Sequence, residues 1–240
     1  MKTRLIFTIV CGLTCSGLVA QPMPGSTEWQ AANKSIARCE LPHRQSPINL
    51  RKGSREAHQF KWLYQPSHEV VINLGHTVEL KYDEGSRVIF DGENYQLVQM
   101  HFHTPSEHWV RKQRFPMEAH LVHQAKNGHY LVLALLFIPG NSHPFLETFI
   151  DDIPKNAEAI YEKDKNIDIR QLLPASPAFY TYSGSLTTPP YTEGVRWVVF
   201  QVPVAASNAQ IEAIQSIEGF NARPLQKIFH RRVAHFRQEE

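Results

Sequence analysis

Cysteine is scarce in this chain. The 240 residues hold three, Cys11, Cys15 and Cys39. The first two fall in an N-terminal segment with the marks of a secretory signal: Lys2 and Arg4, the apolar run Leu5-Ile-Phe-Thr-Ile-Val-Cys-Gly-Leu13, then small residues ending at Ala20. Cleavage after Ala20 removes both and leaves Cys39 alone, so no internal disulfide is expected. Cys39 is then either buried and inert or available for a bond between two copies, a homodimer. Long apolar runs are also lacking. The N-terminal one is short and broken by polar and small residues, which argues against a membrane span. Neither Cys11 nor Cys15 has the preceding small residues of a lipid-anchored cysteine. Strong net charge is absent too, at +2 with histidine neutral. Arg111-Lys-Gln-Arg114 and Arg231-Arg232 are short and read as solvated surface, so no nucleic-acid partner is expected. No Gly/Ser linker, repeat or low-complexity run follows residue 27. The expected organisation is a signal peptide over 1–20 and one domain over 21–240, exported to the periplasm or beyond, with no stable membrane insertion. That length can bury a sizeable core without disulfides.

Histidine, by contrast, is plentiful, at thirteen residues. His43, His58, His68, His129 and His143 sit in polar or turn-like contexts and receive no role. His101 and His103 lie in Tyr95-Gln-Leu-Val-Gln-Met-His-Phe-His103, where polar and apolar residues alternate as in a strand with one face of each kind. Successive strand side chains point to opposite faces, so these two project together, about 7 Å apart. Glu118 and His120 repeat the spacing on a second strand-like run. Two adjacent strands can therefore bring three imidazoles to one point, and three neutral nitrogens with an open fourth position are the signature of a catalytic zinc site. Gln99 and Glu118 share faces with these histidines and suit the acceptors that orient ligand imidazoles. His123 competes with His120 as third ligand. The Asn127-Gly128 turn makes 117–124 and 130–137 read as strand, turn, strand, and on a regular strand His123 faces away from His120. Strand geometry thus favours His120.

At these residues the chain resembles the α-class carbonic anhydrases. The likeness rests on an ordered series over about residues 28–236: Gln45-Ser-Pro-Ile-Asn49, Asn73-Leu-Gly-His76, Gln99-Met-His-Phe-His103, Ser106-Glu-His108, Glu118-Ala-His-Leu-Val-His123, Tyr182-Ser-Gly-Ser-Leu-Thr-Thr-Pro-Pro190, Val195-Arg-Trp197 and Asn221-Ala-Arg-Pro224. It implies reversible hydration of carbon dioxide to bicarbonate and a proton. His101, His103 and His120 match the zinc ligands. Thr187 matches the threonine that accepts a hydrogen bond from zinc-bound hydroxide, and Glu107 the glutamate that accepts from that threonine. Gln99, Glu118 and Asn221 match residues that hold the ligands, Asn221 through its backbone carbonyl. His76 matches the proton-shuttle histidine. Val122, Leu133, Leu186, Val195 and Trp197 match the apolar wall where carbon dioxide rests, and Thr188 lies at substrate contacts. His108 is implied to be a buried structural histidine.

The chemistry needs these types. Carbon dioxide is a weak, uncharged electrophile that requires a strong nucleophile. Zinc lowers the pKa of bound water to about 7, a value for which carbonic anhydrase is itself the reference case. Neutral imidazole ligands leave the metal's charge undiminished. A threonine donating to a carboxylate must accept from the hydroxide, which orients it. An imidazole titrating near pH 6.5 can carry the released proton away.

Three departures from the resemblance stand out. Tyr191 occupies the position where many exported relatives carry a second cysteine, so packing must hold the Thr187 loop. No His-Trp-Gly-Tyr segment precedes Trp29, and Leu74 stands where a second asparagine is common beside the shuttle. Two other functions would leave a different pattern. A catalytically silent binding module would be expected to lose a ligand histidine, and a metal-buffering protein would carry exposed His-rich tracts. Neither pattern is present.

The expected fold is β-dominated: one domain around a large, twisted, mostly antiparallel sheet with a few surface helices. Strands are expected at 70–74, 77–82, 87–90, 95–103, 117–124, 130–137 and 195–201, with antiparallel neighbours across the turns at Asp83, Asp91 and Asn127. A short helix is expected at 156–162. Ser207-Asn-Ala-Gln210 predicts a capping box opening a helix to about Ile217. The resemblance adds a central sheet of about ten strands with zinc in a conical cleft.

Overall fold

The computed structural model describes residues 44–51, 53–175 and 177–237. The segment expected to be a signal, Trp29 and all three cysteines lie outside the described residues. The strands in chain order are β1 (Asn49–Leu50), β2 (Ser54–Arg55), β3 (Phe60–Leu63), β4 (Ser67–Asn73), β5 (Val78–Lys81), β6 (Arg87–Phe90), β7 (Glu93–His103) and β8 (Trp109–Val110). They continue as β9 (Gln113–Arg114), β10 (Met117–Ala125), β11 (Tyr130–Pro139), β12 (Ile160–Ile167), β13 (Ala178–Ser185), β14 (Glu193–Phe200), β15 (Val204–Ala206) and β16 (Ala234–Arg237). Two α-helices, α1 (Pro144–Glu147) and α2 (Asn208–Glu218), join them.

The large sheet runs β12-β4-β5-β7-β10-β11-β14-β13-β16-β2, with β3, β6 and β15 attached off that path. Most neighbours are antiparallel, but β11–β14, β11–β15 and β16–β2 are parallel, so the sheet is mixed. The β10–β11 hairpin turns at Asn127-Gly128, where Gly128 takes φ +86°, a conformation that glycine adopts without strain. The Asp83 turn does not make a hairpin. Instead β5 and β6 lie end to end along one edge of β7, β5 against Gln99–His101 and β6 against Glu93–Gln96.

Apolar side chains cover both faces of the sheet, because β11 is apolar almost throughout and sits at the centre. One face carries Met100, Phe102, Leu121, Leu131, Leu133 and Leu135, packed under α2 through Ile211 and Ile214. The other carries Val122, Val132, Ala134, Tyr182, Val195 and Trp197. Fully burying such a side chain contributes about 1.5–3 kcal/mol each, so the parity of every central strand is strongly enforced.

α2 opens as expected: the Ser207 side chain accepts from the Gln210 amide, and the Gln210 side chain accepts from the Ser207 amide. The short helix expected at 156–162 is not formed. Glu158 takes φ +62°, which ends any helical turn, and β12 begins at Ile160. Pairing with β4 outweighs local helix propensity there.

Candidate metal centre and its cleft

β7 and β10 are antiparallel neighbours in a register that sets His120 directly opposite His101 and Glu118 opposite His103. Alternation puts all four on the face away from Met100 and Leu121. The ring centroids of His101, His103 and His120 lie 4.6–5.2 Å apart. One nitrogen from each falls within 4.8 Å of the others. The register shifts between Val122 and His123, where Val98 is the extra residue on β7.

Hydrogen bonds decide which nitrogens are free. His101 Nδ1 donates to Gln99 Oε1 at 2.8 Å, leaving Nε2. His120 Nε2 donates to Glu118 Oε1 at 2.9 Å, leaving Nδ1. Both ring nitrogens of His103 are buried without a hydrogen bond. Asn221 lies close enough to raise the His103 pKa, although no hydrogen bond of good geometry joins them. Burial pushes all three imidazoles down, His103 to about 4 and His101 well below its ordinary value, the latter helped by its histidine neighbours. They are therefore neutral near pH 7. Buried, converging, neutral nitrogens fit a borderline-soft cation such as zinc.

The surroundings are polar and fully buried. Burial alone would raise Glu118, but His108 and His120 hold its carboxyl well below the usual range. The His108 amide donates to Glu118 Oε2 and His108 Nδ1 to Oε1, at 2.8 and 2.7 Å. His108 Nε2 accepts from the Tyr182 hydroxyl at 2.7 Å, and that hydroxyl is 2.8 Å from Ser46 Oγ. A continuous chain thus runs from His120 to Ser46, whose Oγ also accepts from the Ser185 amide at 3.1 Å.

Glu107, from the loop after β7, has Oε2 3.6 Å from His103 Nε2. Its Oε1 accepts from the Arg223 backbone amide at 2.8 Å. Burial raises its carboxyl, while nearby His120 and the Thr187 side chain draw it down, although Oε2 makes no hydrogen bond of good geometry. Thr187 is buried in the loop between β13 and β14, whereas Thr188 is exposed. His76 is half-buried on the turn between β4 and β5. Its Nδ1 donates to the Leu74 carbonyl at 2.9 Å, and burial lowers its pKa. The Asn221 side-chain amide donates to the His76 and Phe102 carbonyls at 2.9 and 3.1 Å.

Val122, Val195 and Trp197 lie on the histidine face, with Leu186 packed against the same cluster. Leu133 does not. It pairs with Leu121 and Val198 and belongs to the core on the far side of the sheet. Val132, one residue earlier, takes the cleft face between Val122 and Trp197. A continuous apolar run carries no alternation to reveal that parity. His123 likewise faces the far side. Its Nε2 accepts from the Tyr64 hydroxyl at 2.7 Å, its Nδ1 donates to the Leu131 carbonyl, and burial drives its pKa to about 3. Arg223 was missed because it acts through its backbone amide, for which sequence gives no signal.

A β-sheet protein with three converging neutral imidazoles, braced by a buried carboxylate, has a donor set that could hold a metal ion. The family model of the eukaryotic-type carbonic anhydrases matches residues 24–237. A carbonic anhydrase of Pectobacterium carotovorum is 36% identical over 209 residues, covering 86% of each chain. The α-carbonic anhydrase of Thermovibrio ammonificans, solved with the inhibitor sulfanilamide, is similar with a TM-score of 0.83 at 35% identity, covering 90% of this chain and 100% of that one. That of Photobacterium profundum gives 0.80 at 34%, covering 85% and 95%. The chain belongs to the α-class carbonic anhydrase family. It is thus a carbonic anhydrase by family, which supports carbon dioxide hydration, with carbon dioxide and bicarbonate as its small-molecule partners. Among the described residues no helix is long and apolar enough to cross a membrane.

Proposed function

We propose that His101 Nε2, His120 Nδ1 and a ring nitrogen of His103 hold one zinc ion, and that the chain uses it to hydrate carbon dioxide. The observation that carries this reading is the convergence of three neutral imidazoles, His103 and His120 buried and His101 partly so, with two nitrogens freed by hydrogen bonds made on the opposite side of the ring and one with no partner. Zinc held there supplies the Lewis acidity that makes a water nucleophilic near neutral pH.

The remaining work falls to the chain. Gln99 and Glu118 hold the His101 and His120 rings in the tautomers that leave those nitrogens free. Thr187, with its proton directed to Glu107, offers a lone pair to the nucleophile and sets its direction. Val122, Val132, Leu186, Val195 and Trp197 form an apolar wall suited to an uncharged gas, and Thr188 lies at its exposed rim. His76 Nε2 is free to accept the released proton through water and pass it to buffer. Asn221 fixes the backbone beneath both His76 and β7.

The test is metal analysis together with stopped-flow hydration on purified protein. One zinc per chain, with activity lost on chelation and regained on zinc addition, supports the reading. Full hydration activity in metal-free protein overturns it. Export rests on the N-terminal signal pattern, with residues 21–240 as the mature domain. N-terminal sequencing of protein recovered from the periplasm tests it, and an intact Met1 there would reject it.

A further inference from the structure

We propose that Tyr191 and Arg223 are positioning residues for hydration: the Arg223 guanidinium, stacked on the Tyr191 ring, ties the turn after Thr187 to the segment that holds Glu107. The proposal rests on the role given above to Thr187 and Glu107. Those two residues come from separate loops, one after β7 and one between β13 and β14. Their mutual alignment therefore depends on something that spans both loops.

Arg223 does so. Its backbone amide donates to Glu107 Oε1 at 2.8 Å, and its guanidinium carbon lies 3.6 Å from the centre of the Tyr191 ring. Its Nη1 donates to Gln45 Oε1 and the Ser46 carbonyl at 2.9 and 2.7 Å. Gln45 Nε2 returns to the Tyr191 carbonyl at 3.2 Å, closing a ring of contacts. Tyr191 in turn closes the turn that carries the threonines, its amide donating to the Thr188 carbonyl at 2.8 Å. Both side chains are buried, at 3% and 5% exposure. Among the described residues the guanidinium makes no salt bridge. Its charge is met by the ring face, two neutral oxygens and, beyond salt-bridge distance, the Glu107 carboxylate, in the largely desolvated setting in which cation–π contact is strongest. The base of the Thr187 loop is held elsewhere, by Leu186 N to the Thr192 carbonyl and Trp197 Nε1 to the Ser185 carbonyl. The stack therefore acts on the tip, where small displacements change the direction of the Thr187 hydroxyl. Misplacement of about 1 Å can cost about a hundredfold in rate.

The experiment is a double-mutant cycle between Tyr191→Leu and Thr187→Ala, read as kcat/KM for hydration with zinc content and thermal unfolding measured in parallel. Tyr191→Leu is expected to keep zinc and lose about three- to tenfold in kcat/KM. Tyr191→Phe, which keeps the ring face, should stay within about twofold. In the Thr187→Ala background the Tyr191→Leu change should cost almost nothing, because the group it aligns is gone. The same loss in both backgrounds, no loss in either, or a Tyr191→Phe loss equal to that of Tyr191→Leu would each overturn the proposal. Wild-type rate in Thr187→Ala alone is a different result, and it rejects the reading of Thr187 together with everything resting on it. Should Tyr191→Leu not fold, Arg223→Lys serves in its place. It keeps the charge and the backbone amide but lacks the planar face, and the same coupled loss is expected.

Discussion

His120 stands directly across the β7–β10 strand pair from His101. Each is oriented by a residue two positions earlier on its own strand, Glu118 for His120 and Gln99 for His101. The period of two that puts ligand candidates on one face also puts their hydrogen-bond acceptors there. A one-residue slip of β10 would turn His120 into the apolar core and bring Leu121 to the histidine face, swapping every side chain of the strand between the two buried faces. The register is therefore fixed by Met117, Ala119 and Leu121 on the far face, all fully buried.

This geometry separates His120 from His123. Replacing His101, His103 or His120 by Ala should remove most bound zinc, measured by metal analysis after gel filtration. His123→Ala should keep the metal and instead lower stability by about 1–3 kcal/mol, because the buried Tyr64 hydroxyl loses its acceptor. Zinc retained in His120→Ala but lost in His123→Ala would reject the assignment.

Thr187→Ala should keep zinc but lose about 10²–10³ in hydration rate, the usual worth of one well-placed hydrogen-bonding group in a transition state. The threonine is buried beside Glu107 and is not among the converging nitrogen donors, so metal binding and turnover should separate. Stopped-flow rates at matched zinc content decide it. An unchanged rate removes Thr187 from the reaction.

Much of this site is legible in the sequence because its information is local. His101 and His103, and Glu118 and His120, are pairs at spacing two, and the Ser207 capping box lies within four residues. Two losses have physical causes. Leu133 matches the apolar wall by resemblance alone, and because the β11 run is apolar on both faces nothing local distinguishes it from Val132. The short helix expected at 156–162 does not form, because pairing with β4 makes the end of that stretch a strand, and no local pattern announces that partner. Arg223 and Glu107 are 116 positions apart and meet through a backbone amide, which no side-chain pattern encodes. The parallel β11–β14 pairing was equally hidden, since the connection between those strands contains other elements of the sheet.

His76→Ala should lower the maximal rate in dilute buffer while leaving kcat/KM for carbon dioxide nearly unchanged. Burial lowers the His76 pKa, so the ring is neutral and ready to accept at neutral pH. Imidazole added as buffer should restore most of the loss. Equal loss in both parameters, with no recovery at high imidazole, would mean that His76 shapes the cleft without carrying protons.

Cys39 lies outside the described residues, and its prediction comes from counting alone. Mature protein should titrate one free thiol under denaturing, nonreducing conditions. A value near zero with a dimer on nonreducing gels would instead indicate a Cys39 to Cys39 bond between chains.

The last prediction concerns Glu218, at the end of α2. The residue is 5% exposed and its carboxyl has only neutral donors near it, the Thr104 side chain, the Val78 amide at 3.3 Å and the Thr77 hydroxyl at 3.4 Å. Oε1 is buried without a partner. Burial with no cation to offset it raises its pKa from 4.5 to about 8. Below about pH 4.5 the folded and unfolded chains are both protonated at this residue, and it carries no penalty. Between there and pH 8 the unfolded chain has released its proton while the folded chain keeps it, so stability falls by about 1.4 kcal/mol per pH unit. Above pH 8 both have released it and the loss levels off, at about 4–5 kcal/mol from this one group. Glu218→Gln has the same shape and does not titrate. Its stability relative to the wild type, from urea unfolding at pH 5, 7 and 9, should therefore rise by about 1.4 kcal/mol per pH unit from pH 5 to pH 7 and by a smaller amount from pH 7 to pH 9, as the difference levels off. A difference that stays constant from pH 5 to pH 9 would show that Glu218 titrates as an ordinary carboxyl and that solvent reaches it in solution.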